Sequence, residues 1–168
     1  MSELPPGWLP IPFAVSPEVS SEMAAEILRA SGATPSGDAD VGAAVANLRA
    51  AIERLPVSAA TRARLWHGFG DIASGVVADL SVEEVSAPGR YASETARFAR
   101  ADAQRRVVSE DGTVASLSAV AADATGEIGF LLRVQSPQGH HVRVVDVLDR
   151  DLRAIGAVWD DAVTIARG

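Results

Sequence analysis

The sequence predicts an α+β fold, a mostly antiparallel sheet of about five or six strands covered by helices as a two- or three-layer sandwich. Three observations predict it. Apolar residues recur at steps of three and four through the first third of the chain; from Gly75 onward they alternate; and tight-turn residues separate the alternating runs. At 168 residues the chain fits one domain, 1–168, large enough to bury a core without cross-links.

Residues 1–15 read as an N-terminal edge strand or arm. Leu9, Ile11, Phe13 and Val15 share one face, while Pro10 and Pro12 remove two N–H donors from one side. Ser16 and Pro17 then start a helix, with Val19, Met23 and Ile27 four residues apart and Gly32 at its end. Val41, Val45, Leu48, Ile52 and Leu55 mark a second helix that Pro56 stops. The short connection between the two predicts an antiparallel N-terminal helical hairpin.

Ser58 is placed to cap a third, short helix through Leu65 and Trp66. Val76, Ala78, Leu80 and Val82 have the period of a half-buried strand, ended by Ala87-Pro88-Gly89. Residues 91–103 read as a modest helix anchored by Phe98. A meander follows: strands at 105–109 and 113–122 joined by Asp111-Gly112, then Ile128, Phe130, Leu132 and Val134, a turn at Ser136–Gly139, and a partner strand at 140–148. One C-terminal helix, N-capped by Asp149, closes the chain with the stripe Leu152, Ile155, Trp159 and Val163 and with Arg167 in its last turn.

Composition excludes several classes. The absence of Cys removes disulfides, thiolate metal sites and thiol nucleophiles. A net charge of −7 opposes non-specific attraction to nucleic acid or anionic lipid, so neither is an expected partner. MSELPPGW carries no basic and then apolar leader, and no segment has the roughly 18 uninterrupted apolar residues of a membrane helix, which gives a cytoplasmic expectation. All 15 basic residues are Arg, a bias that fits a GC-rich genome.

The stretch closest to a chemical motif is HGFGDIASG at 67–75. A phosphate loop needs a strand, then glycines, then a helix N-terminus, and here a helix is expected before the glycines and a strand after them. The glycines therefore read as a connector, with Gly68 or Gly70 left-handed at the helix exit and Gly75 allowing close approach at the strand entrance. His140 and His141 are adjacent on a strand and point to opposite faces, so with His67, Asp146, Asp149 and Asp151 they make a weak metal set. No serine sits in a nucleophile motif, and Glu83/Glu84 and Asp160/Asp161 diverge from one another. No catalytic, cofactor-binding or metal residue is assigned, and no cofactor is expected.

Candidate partner-binding residues come from two features. Arg97, Arg100 and Arg105 belong to a basic cluster with Arg90 and Arg106 on an otherwise acidic chain, suited to an acidic partner. Trp8, beside Pro5, Pro6 and Gly7, and Trp66, before the glycines, are the aromatics positioned to line an exposed groove.

The GWLPIPF opening, the helical pair at 17–55, GVVADLSV at 75–82 and the final hairpin followed by VLDRDLRAIGAVWDDAVTIAR resemble small actinobacterial proteins with a Mog1/PsbP-like sandwich. The resemblance spans nearly the whole chain in element order. It implies a non-catalytic adaptor that binds another protein, and it transfers no catalytic residues. The expected function is thus a non-enzymatic interaction or accessory protein, adaptor- or immunity-like, with a protein partner and with a homodimer through a sheet edge as a further option. The alternative is a small-ligand-binding or hydrolytic enzyme with a cleft near His67, Asp71 and the 140–149 hairpin.

Overall fold

The computed structural model describes residues 4–11, 57–68, 75–92, 102–121 and 128–168, together with Glu22, Gly42 and Ala46 as single positions of helical backbone. The described strands are β1 (Trp8–Ile11), β2 (Thr61–Gly68), β3 (Gly75–Glu84), β4 (Asp102–Val108), β5 (Val114–Ala121), β6 (Ile128–Gln138) and β7 (His141–Asp149), followed by helices α1 (Leu152–Ala157) and α2 (Trp159–Arg167). They form one seven-stranded sheet in the order β1-β2-β3-β7-β6-β5-β4. Every neighbouring pair is antiparallel.

This corrects the expected fold class. Among the described residues the architecture is mostly β, a seven-stranded antiparallel sheet with two short C-terminal helices, and not an α+β sandwich with an N-terminal helical hairpin. The segments expected to form that hairpin, 17–32 and 41–55, lie outside the described residues apart from the three single positions, as do Phe13, Val15, Phe98 and residues 69–74.

The expected third helix is strand β2. Its Arg64, Leu65 and Trp66 are all buried although successive side chains point to opposite faces. A strand covered on both faces loses the alternating signal, and its apolar spacing then imitates a helix. Ser58, expected as a cap, instead donates its N–H to Thr61 Oγ1 at 3.1 Å in the turn entering the strand. The end of the expected 91–103 helix is likewise strand, because β4 begins at Asp102.

The final hairpin forms with a tighter turn than expected. β6 runs through Ser136 and Pro137, and the register Gln138↔His141 leaves only Gly139 and His140 to turn, Gly139 with φ 66°. Pro137 is tolerated because the β5 register stops at Val114↔Gln135, so its missing N–H lies where β6 has one neighbour.

One sheet face carries Leu65, Val76, Ala78, Ala115, Leu117, Leu132, Val134, Val145 and Val147, and α1 and α2 cover it with Ile155, Val158, Ala162, Ile165 and Ala166. The expected single C-terminal helix is broken at Val158, which has φ −104° and ψ 7°. The break rotates the buried stripe away from the expected one. Leu152 is 46 % exposed, and Ala162 and Ala166, small enough for close approach, meet the sheet instead. Asp151, not Asp149, caps α1 by accepting from the Arg153 N–H at 2.9 Å.

The glycine-rich segment owes two of its glycines to an aromatic ring. Gly68 and Gly75 pair across β2 and β3, and the Trp66 indole lies over both. Gly68 is a strand residue and not a left-handed helix terminus, whereas Gly75 does serve close approach. A Cβ at Gly68 would lie 2.6 Å from Trp66. Gly68→Ala is therefore expected to destabilise the fold by about 1–3 kcal/mol, with altered Trp66 emission, as read by urea unfolding followed by fluorescence.

Candidate functional site

The sheet face opposite α1 and α2 carries a row of charge. The register aligns Arg64 of β2, Asp79 of β3, Asp146 of β7 and Arg133 of β6 side by side. Their exposures are 2 %, 0 %, 1 % and 5 %, so four formal charges lie out of reach of solvent in the order plus, minus, minus, plus. Arg64 grips Asp79 with both ends of its fork, Nε to Oδ1 at 2.6 Å and Nη2 to Oδ2 at 2.8 Å. Arg133 stands 3.5 Å from Asp146 and 3.5 Å from Glu83.

Two neighbouring carboxylates are the usual raw material of acid–base catalysis. Here each faces its own guanidinium, and no substrate atom can approach side chains so deeply buried. The row is a structural element, and sequence reading missed it because Arg64 and Asp79 lie 15 positions apart.

A second cluster sits where β1 and β2 meet α2. Trp8 Nε1 donates to Asp161 Oδ2 at 3.0 Å, and the His67 ring lies 5.2 Å from that of Trp8, tilted by 58°. Burial pushes the His67 imidazole below its ordinary value, and the nearby Asp161 charge partly opposes this. Asp161, expected as a solvated helix residue, is thus the partner of a buried indole.

The structure does not bring His67 together with the turn histidines. His67 pairs with Val76 near one end of β3, and His141 pairs with Glu84 at the other, about 26 Å along the strand. His67 and Asp146 also project from opposite faces of the sheet. Among the described residues no group of three or more His, Asp or Glu is placed to hold a metal ion. Asp71, the expected companion of His67, lies outside them.

Of the candidate partner-binding residues, Trp8 and Trp66 are 4 % and 3 % exposed, so neither lines an exposed groove. Arg97 and Arg100 lie outside the described residues. Arg105 is exposed on β4, with its guanidinium carbon 5.3 Å from the centre of the Trp159 ring. β4 ends the strand order and is hydrogen-bonded on one side only among the described residues. Val107 and Val108 at its end are 38 % and 59 % exposed.

No family model matches the chain, and no curated protein or solved structure is significantly similar to it. Among the described residues no helix is long and apolar enough to cross a membrane.

Two predictions test these clusters. Arg64→Met should cost about 3–5 kcal/mol in urea unfolding by stranding the buried Asp79 charge, and adding Asp79→Leu should recover most of that loss. For His67, a depressed folded-state value means that the unfolded chain binds the proton more readily. Its stabilising contribution is therefore complete above the ordinary value of 6.5 and is lost as pH falls below it. Thermal unfolding between pH 7 and pH 5 should show this decline, and His67→Gln should flatten it.

Proposed function

We propose that the protein is a non-enzymatic interaction module, adaptor- or immunity-like, that receives an acidic, extended segment of a partner protein along the outer edge of β4. The observation that carries the reading is the contrast between the two sheet edges. β1 is four residues long and interrupted by exposed Pro10, two devices that discourage strand addition. β4 is seven residues long, has no proline, and offers exposed Arg105, Arg106, Val107 and Val108.

The charge on that edge selects the occupant. Arg105 and Arg106 sit near the middle of β4, so an antiparallel second copy would set arginine against arginine, whereas acidic side chains would pair with them. The net charge of −7 leaves this edge as a local basic exception. The all-arginine basic complement supports a GC-rich, actinobacterial source.

Backbone geometry supplies a selective test. The Ser109 N–H donates inward to the Thr113 carbonyl at 2.8 Å, so by alternation the N–H groups of Arg106 and Val108 point outward. Val108→Pro removes one outward donor and spares the bonds to β5. An extended peptide alternating Glu with Val and Thr should bind saturably, more weakly in high salt, and about tenfold more weakly to Val108→Pro. Equal binding of a Lys-for-Glu peptide, or equal binding by the variant, would remove the reading. A concentration-dependent mass in sedimentation would replace the acidic strand with a second copy.

A further inference from the structure

A pocket lies on the helix-covered face at the β1 end of the sheet, between strands β1, β2, β3 and β7 and the end of α2. It encloses about 100 Å³ and is walled mainly by Leu4, Pro10, Leu65, Leu80 and Ile165. Among the described residues Arg143 of β7 supplies the one charged side chain of its lining. Pro10 and Thr164, which also line it, are exposed and mark its mouth.

Arg143 differs from the other inward-facing arginines. Arg64 and Arg133 face carboxylates, whereas Arg143 forms no ion pair among the described residues. Its Nη2 donates to the Ile165 carbonyl at 2.9 Å, which holds the guanidinium against the end of α2. Its Nε is buried and has no hydrogen-bond acceptor among the described residues. The Gly168 backbone lies against Nη1, so that a side chain there would require the guanidinium to shift. A half-buried guanidinium held in place beside apolar walls, with unmet donor capacity, favours a planar anion able to accept from its fork.

We propose that this pocket binds a small apolar carboxylic acid, its carboxylate on Arg143 and its tail among Leu65, Leu80 and Ile165. The dimensions limit the tail. An apolar cavity of roughly 150 Å³ accommodates benzene, so about four carbons fit inside this one and the end of a five-carbon tail reaches its mouth. The charge complementarity is local, since the chain as a whole repels anions. The pocket and the β4 edge lie at opposite ends of the strand order, so either site can fail without the other.

The test is a titration of the full chain with hexanoate, 1-hexanol and hexylamine at equal ionic strength, followed by amide NMR shifts. Hexanoate should give saturable shifts at Ala63, Leu65, Leu80 and Ile165, with hexanol about tenfold weaker and hexylamine weaker still. Arg143→Gln should reduce hexanoate to the level of hexanol and leave hexanol unchanged. Ala63→Phe, which fills the pocket wall, should abolish both. Hexanoate binding no better than hexylamine, shifts without saturation, or saturable shifts centred elsewhere would overturn the proposal. The comparison of the three probes uses the unaltered chain, so it decides the matter even where a variant fails to fold.

Discussion

Four buried charges in one row constrain the centre of the sheet. Arg64, Asp79, Asp146 and Arg133 occupy four adjacent strands, and each lies opposite its neighbour in the register. A slip of one residue at any of these interfaces would send a charged side chain to the apolar face and strand its partner. Such a state is far more costly than a misaligned pair of valines, so the row selects one register for β2, β3, β7 and β6. Hydrophobic burial drives the sheet together, and the charges decide how it aligns.

The two faces follow from that alignment. With Arg64, Asp79, Asp146 and Arg133 on one side, the intervening Leu65, Ala78, Val145, Val147, Leu132 and Val134 all fall on the other, where α1 and α2 dock. The C-terminal helices are then held at their margins by polar contacts. Asp161 accepts from Trp8 of β1, Arg105 of β4 stacks over Trp159, and Arg167 pairs with Asp111 at 2.7 Å in the β4–β5 turn. These contacts tie both outer strands of the sheet to one short helical segment. They also position the end of α2 against Arg143, which shapes the pocket at one margin, while at the other β4 has one strand neighbour among the described residues.

Much of the β meander was legible because its strands keep a strong local signal. Val76 to Val82, Val114 to Ala121 and Ile128 to Val134 alternate or cluster as strands should, and Asp111-Gly112 and Gly139 mark real turns. The candidate site was far less legible. Arg64 pairs with a residue 15 positions away, Trp8 with one 153 positions away, and Arg105 with Trp159 on a different element. Trp8 and Trp66 were assigned to a surface groove because flanking Pro and Gly suggest exposure, yet burying a large aromatic ring outweighs the local chain preference.

The sequence by itself determined the absence of thiol chemistry, the acidic balance, the strand-rich second half and the need for glycine in the tight Gly139 turn, because each depends on residue type or on near neighbours. Tertiary structure alone decided that 61–68 is a strand, that the C-terminal helix breaks at Val158, and that Arg143 lines an apolar pocket. A segment buried on both faces takes its conformation from hydrogen-bonding neighbours distant in the chain, and a side chain's electrostatic partner is set by strand order. Neither quantity is local, so no window along the sequence contains it.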